Sequence, residues 1–183
     1  MKKRLYILVE GGDDVRFFGR IIKPLFVSRY DSVEIITYAC IRREKVNKLL
    51  QSIRQMGNDY IFVADIDTER SVRDKKQILY CRFSELDGTS IVVVVKEIES
   101  WYLAGIKETL ARRIHIPNLM STDDLTKEDF NALIPYEFDS RIDFMFEILK
   151  EFSTDTAQQK NRSFRFFVSH YRIRAVDAIT AMT

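Results

Sequence analysis

Five acids in this 183-residue chain stand where carboxylates could do chemistry together. Glu10 directly follows a short apolar run at residues 5–9 (LYILV). Asp65 and Asp67 form a D-x-D directly after residues 60–64 (YIFVA). Glu97 and Glu99 come just beyond residues 91–95 (IVVVV). In an open parallel sheet, ligands bind outside the carboxyl ends of the strands, and all five acids fall at such ends. An extended D-x-D puts both carboxylates on one side, because strand side chains alternate. The same holds for Glu97 and Glu99 while the chain is extended; a helix beginning there would splay them. Acids gathered in one crevice repel unless a cation sits among them. Oxygen-only donors select a hard divalent ion, Mg2+ or Mn2+, and no His or Cys lies near these positions to favour zinc. Such an ion suits phosphoryl transfer, since it can activate water and neutralise charge on a leaving oxygen. Taken singly, each acid reads equally well as a helix cap or a solvated loop charge; the pattern as a whole carries the expectation.

The elements that must position these acids show in the hydrophobic periodicity. Residues 5–9, 33–39, 60–64 and 91–95 read as strands, the first short and apolar enough to be buried on both faces and the last the strongest β signal in the chain. Between the first two, Val15, Phe18, Ile21, Ile22, Leu25 and Phe26 mark one helical face, opened by Asp13 or Asp14 as cap. A second amphipathic helix is expected over residues 44–56, with Val46, Leu49, Leu50 and Ile53 inward and Gly57 as the stop. The charged segment 68–80 reads as an exposed helix or a loop. Strands alternating with helices imply right-handed βαβ units and a mainly parallel four-stranded sheet, an α/β fold. From Ile98 onward the pattern is helical. Residues 121–124 (STDD) and 126–129 (TKED) both look like helix N-termini. The expected organisation is an α/β domain over residues 1–105 and a helical extension over 106–183.

Composition narrows the function classes. Lys and Arg number 29 against 27 Asp and Glu, so a net charge of +2 does not announce a polyanion partner, and any basic surface must be local. The two cysteines, Cys40 and Cys81, form no CxxC pair, which argues against a disulfide framework or a Cys-rich zinc site. The apolar run after the first lysines is too short for a signal sequence or a membrane helix, so a soluble cytoplasmic protein is expected. No G-x-S-x-G and no Walker-type phosphate loop occurs.

Basic side chains near the acids are candidate phosphate contacts: Lys96 before the Glu97/Glu99 pair, Arg42, Arg43 and Lys45 after the second strand, and Arg70, Arg73, Lys75 and Lys76 after the third. Lys160, Arg162 and Arg165 make a further group, interleaved with Phe164, Phe166 and Phe167. Each set reads alternatively as a solvated face. Trp101 could stack on a base, but its apolar neighbours Tyr102 and Leu103 favour packing of its helix onto the sheet. His115 reads as a surface residue and His170 as structural or a weak phosphate contact.

The motif V-E-G-G-D-D after strand one, with D-I-D after strand three, resembles the Toprim domain, the catalytic domain of topoisomerases, bacterial-type primases, recombination-associated proteins and OLD-type nucleases. The first motif is also similar to the E-G-x-D-D of small ribosomal-RNA maturases. A closer similarity is to defence-associated Toprim-like proteins, which carry a segment like E-L-E-A-W-L-L after the fourth strand; residues 97–104 read E-I-E-S-W-Y-L-A here. The resemblance covers residues 5–105. It implies a Rossmann-like three-layer sandwich, Glu10 as general acid or base, and Mg2+ on Asp65 and Asp67, with Glu97 and Glu99 completing the ion's surroundings. Asp14 matches an acid found one turn into the first helix, and Lys160 a basic residue of the helical tail. Glu69 stands where a D-x-D-x-D pattern would place a third aspartate, so one or two metals remain open. The function expected is Mg2+-dependent phosphoryl transfer, most simply nucleolysis of DNA or RNA, because the chain lacks the extra domains of a topoisomerase or primase. The alternative is a non-catalytic metal- or nucleic-acid-binding effector acting with a partner ATPase. Self-association into a homo-oligomer is compatible with either.

Overall fold

The computed structural model describes residues 3–172, which fall into two compact units dividing between Val94 and Val95. The first unit holds one sheet of four strands: β1 (Arg4–Val9), β2 (Ser32–Thr37), β3 (Asp59–Asp65) and β4 (Ile91–Val94). Their order is β2-β1-β3-β4, and every pairing is parallel. This is the α/β class expected, and the order is that of a Rossmann-like, doubly wound sheet. The chain steps one way from β1 to β2, then crosses to the other side of β1 for β3 and β4. The direction of winding therefore reverses between β1 and β3, the place where such sheets bind ligands.

Helices lie on both faces of the sheet. Val46, Leu50 and Ile53 of α2 (Arg43–Gln55) share a core with Leu79 of α3 (Val72–Arg82), Phe83, and the strand residues Leu8, Tyr60, Phe62, Ala64, Ile91 and Val93. These strand positions follow the period of two that puts alternate side chains on one face. The other face is met by the helical stretch after β1: a Cβ on Gly19 would lie 3.7 Å from Ile35, which stands level with Ile7 and so opposite in sense to Leu8. That stretch is not one regular helix. It comprises α1 (Gly12–Phe17), a π turn (Phe18–Ile22) and a 3-10 turn (Lys23–Phe26). Pro24 has no N–H to give to the carbonyl four residues back, which breaks the α ladder there. Phe17 is buried beside Phe18, Ile22, Leu25 and Phe26, a position outside the face expected from the sequence.

α2 ends as expected at Gly57, whose φ of 69° lets Gly57 N–H reach the Arg54 carbonyl (2.9 Å) and Asn58 N–H that of Ile53 (3.1 Å). The charged segment after β3 resolves into α3, capped by Ser71 Oγ, which accepts from Asp74 N–H at 3.1 Å.

The second unit is helical: α4 (Ile98–Ala104), α5 (Glu108–Arg113), α6 (Lys127–Ala132), α7 (Arg141–Lys150), α8 (Thr154–Lys160) and α9 (Arg162–His170). The division falls before α4, not at residue 105, because α4 is built into this unit. Trp101 is fully buried, its indole N–H donates to Ser163 Oγ (2.7 Å), and its ring meets Phe164 and Phe167 at 5.1 and 5.4 Å. Trp101 is thus a core residue packed against α9, not a stacking platform. Ser163 in turn donates to Asn161 Oδ1 (2.8 Å), which also accepts the Phe164 N–H that opens α9 (2.9 Å), while Asn161 Nδ2 donates to Thr122 Oγ1 (3.1 Å). Residues 121–124 form a turn held by this network, not the helix N-terminus expected there; Thr126 is the true cap, of α6. No helix among the described residues is long and apolar enough to cross a membrane.

Candidate functional site

The site is built at the carboxyl edge of the first unit's sheet, where β1 and β3 run side by side. The register that sets Leu8 beside Phe62 carries Glu10, two residues on, to the level at which β3 ends. There the Asp65 backbone N–H donates to Glu10 Oε1 at 3.3 Å. The same carboxylate oxygen accepts the phenolic O–H of Tyr38 at 3.0 Å. Tyr38 follows β2 and is 3 % exposed, and its oxygen also lies 3.0 Å from the Val63 carbonyl of β3. Since β1 lies between β2 and β3, the tyrosine spans the end of the central strand and ties Glu10 to its neighbour.

Asp14 contributes from α1. It is buried, and its Oδ2 accepts the Gly11 N–H at 2.9 Å, which closes the loop that carries Glu10 onto the helix start. The electrostatics converge on Tyr38. Burial first, then the charges of Glu10, Asp14 and Asp65, hold its hydroxyl well above the ordinary tyrosine range. Glu10 acts on this hydroxyl by a direct hydrogen bond, Asp14 and Asp65 through their charge.

Asp67 goes elsewhere. β3 ends at Asp65, and Asp67 has φ 53°, so the extended alternation expected of the D-x-D stops between the two aspartates. Aspartate tolerates this left-handed conformation better than most residues. Its carboxylate is turned onto Lys75 of α3, with which it forms an ion pair. Among the described residues no three His, Cys, Asp or Glu side chains are grouped to hold a metal ion; the acids at this edge meet as Glu10 with the end of β3.

Glu97 and Glu99 belong to the second unit. Glu97 is extended, at the N-terminal boundary of α4, and Glu99 already lies in the first helical turn, so their side chains diverge. Glu97 Oε2 accepts the Lys127 N–H at 2.6 Å at the start of α6. Glu99 is buried and pairs with Arg141, whose guanidinium also donates to Asn131 Oδ1 (3.0 Å) and lies over the Phe130 ring. Lys96 takes a left-handed backbone, φ 65°, and its charge helps to hold the Asp129 carboxyl low, after the larger effect of hydrogen bonds from Thr126. Lys160 donates to the Ile106 carbonyl (2.8 Å) and Asn118 Oδ1 (3.2 Å); burial pushes its pKa down. Its bonds are those of a structural residue. Arg42 and Arg43, by contrast, are exposed at the start of α2.

Two residues of this site escape sequence reading. Tyr38 reads there as the tail of a strand, and nothing local reveals that its hydroxyl meets Glu10. Lys75 reads there as one of several basic residues that could contact a nucleic-acid backbone or form a solvated face, and not as the partner of Asp67, although its spacing of four from the apolar Leu79 puts both on the buried face of α3. Comparison with protein-family models, curated proteins and solved structures finds no match.

Proposed function

We propose that the chain is a Mg2+- or Mn2+-dependent phosphoryl-transfer enzyme of the Toprim type, hydrolysing phosphodiester bonds in DNA or RNA. The observation that supports this reading is the contact of Glu10 with the end of β3 at Asp65, at the point where the sheet reverses its winding. The donor set fits a hard cation: carboxylates and a phenol, with no sulfur or imidazole, and Mg2+ is commonly held through only one or two carboxylates. Glu10 and Asp65 would hold the ion, with Asp67 joining them on release from Lys75. Bound there, the cation supplies charge neutralisation at a phosphate and an acidified water. Asp14 holds the loop of Glu10 in place, and the exposed Arg42 and Arg43 are the groups available to a nucleic-acid backbone.

A second reading is a non-catalytic module that binds metal or nucleic acid and acts with a partner ATPase. The ion pair of Asp67 with Lys75 favours it, because that pair withdraws one carboxylate of the D-x-D from any cation.

Cleavage of single-stranded DNA, double-stranded DNA and RNA with Mg2+ or Mn2+ tests the proposal. The expected result is metal-dependent cleavage that falls on the order of 1,000-fold in Asp65→Ala, with an unchanged circular dichroism spectrum. Cleavage that persists in purified Asp65→Ala overturns it. Calorimetric Mg2+ binding without cleavage selects the second reading. Neither binding nor cleavage leaves a Rossmann-like domain whose acids are caps.

A further inference from the structure

Tyr38 is fixed everywhere except at its phenolic proton. Its backbone N–H donates to the Val9 carbonyl (2.9 Å), and its own carbonyl accepts from Ile41 (2.9 Å). Its ring lies tilted against Phe62, centroids 4.3 Å apart, and meets Phe83 edge-on at 6.0 Å. The oxygen is thereby held 3.0 Å from two acceptors at once, Glu10 Oε1 and the Val63 carbonyl. A phenol carries one O–H, so it can satisfy only one of them at a time. The choice between the two follows the charge on Glu10. A hydrogen bond to an ionised carboxylate is roughly twice as strong as one to a neutral carbonyl, so an uncompensated Glu10 accepts the O–H. A cation beside Glu10 removes that advantage.

We propose that Tyr38 is a positioning residue for Glu10: its hydroxyl donates its hydrogen bond to the Glu10 carboxylate in the metal-free protein and turns it to the Val63 carbonyl when a divalent cation neutralises Glu10. This rests on the proposed reading, in the form in which Glu10 holds the ion. Tyr38 then aims the Glu10 carboxylate toward the end of β3 before the ion arrives, and releases it without any movement of ring or backbone. The reorientation costs little, because the second acceptor is already in place. No side chain must be desolvated and no packing changes; one proton rotates about one bond.

The test uses the full-length protein with tyrosines labelled with carbon-13 at Cζ. The chain has eight tyrosines, and the Tyr38 resonance is the one missing from Tyr38→Phe. The expected result is that this resonance shifts in Glu10→Gln without metal, shifts in the wild-type protein as Mg2+ is added, and no longer responds to Mg2+ in Glu10→Gln. By calorimetry, Tyr38→Phe, which keeps the ring and its packing, should bind Mg2+ about five-fold more tightly, because the metal-bound protein gives up the hydrogen bond to ionised Glu10 for a weaker one to the Val63 carbonyl. A Tyr38 resonance that ignores Glu10→Gln overturns the pairing. A resonance that is unmoved while calorimetry shows Mg2+ saturating the protein overturns the switch and leaves the metal reading standing. Absence of Mg2+ binding in the wild-type protein overturns the metal reading and the switch together.

Discussion

Glu10 and Asp67 face opposite constraints, and both are set by single neighbouring side chains. Glu10 is held by a neutral donor, Tyr38, which can let it go without leaving a charge behind. Asp67 is held by a cation, Lys75, whose side chain is 9 % exposed while that of Asp67 is 56 % exposed. The lysine is thus desolvated and the acid is not, so the pair contributes on the order of 1 kcal/mol or less. Lys75 nevertheless competes directly with any cation for Asp67. Lys75→Met, which keeps the length and apolar stem of the lysine, should therefore bind Mg2+ about five-fold more tightly by calorimetry, the equivalent of about 1 kcal/mol. Unchanged or weaker binding would show that Asp67 takes no part. At this scale the sequence reveals the acids but not their partners. Glu10 and Asp65 are legible because each ends an apolar run at a predictable edge. Tyr38 and Lys75 are not, since their roles arise from contacts 28 and eight residues away in the chain.

Elements were legible where one force dominates. β1, β3 and β4 are apolar runs largely buried on both faces, the edge strand β2 buries only Val33, and their parallel pairing follows from the helices between them. α2 and its Gly57 stop follow from amphipathic spacing and a positive φ. Legibility fails where a local rule yields to a longer-range one. Pro24 breaks the α ladder of the first helical stretch, which ends in a 3-10 turn in place of a regular helix. Residues 121–124 carry a helix-start composition, yet their hydroxyl and carboxylate groups serve Asn161 and Arg162 forty residues on: Thr122 Oγ1 accepts from Asn161, and Asp123 accepts the Arg162 N–H at 2.7 Å. Asn161 is the centre of this arrangement, 1 % exposed and the N-cap of α9. Asn161→Ala removes the cap and leaves the hydroxyls of Thr122 and Ser163 short of a partner. It should destabilise the helical unit by about 2–4 kcal/mol in chemical denaturation. Asn161→Asp, which keeps the two acceptor contacts and loses the donated ones, should fall between it and the wild-type protein. A loss below about 0.5 kcal/mol for the alanine variant contradicts the network.

For the molecule as a whole, the α/β class and the helical second half are what composition and periodicity announce, whereas the place of division depends on where Trp101 packs, which periodicity does not encode. Two buried tyrosines and a half-buried one give the first unit a distinct response to alkali. Tyr30, Tyr38 and Tyr60 all have pKa values raised above the ordinary 10.0, with burial the largest cause in each. Below pH 10 folded and unfolded chains both keep these protons, and the tyrosines' contribution is fully present. Above it, the unfolded chain releases protons that the folded chain holds, so stability falls as the pH climbs. Denaturant midpoints measured at about pH 9 and about pH 11 should decline accordingly, and Tyr38, the most deeply buried of the three, should ionise only beyond the pH at which exposed tyrosines do. Equal midpoints would contradict this. The opposite optical property belongs to the helical unit. Trp101 is the chain's only tryptophan and lies wholly within that unit's core. Intrinsic fluorescence excited selectively at the indole therefore observes one unit while ultraviolet tyrosine absorbance weighs toward the other. A single unlabelled sample thus carries two built-in reporters, enough to tell whether its halves melt in concert or in sequence.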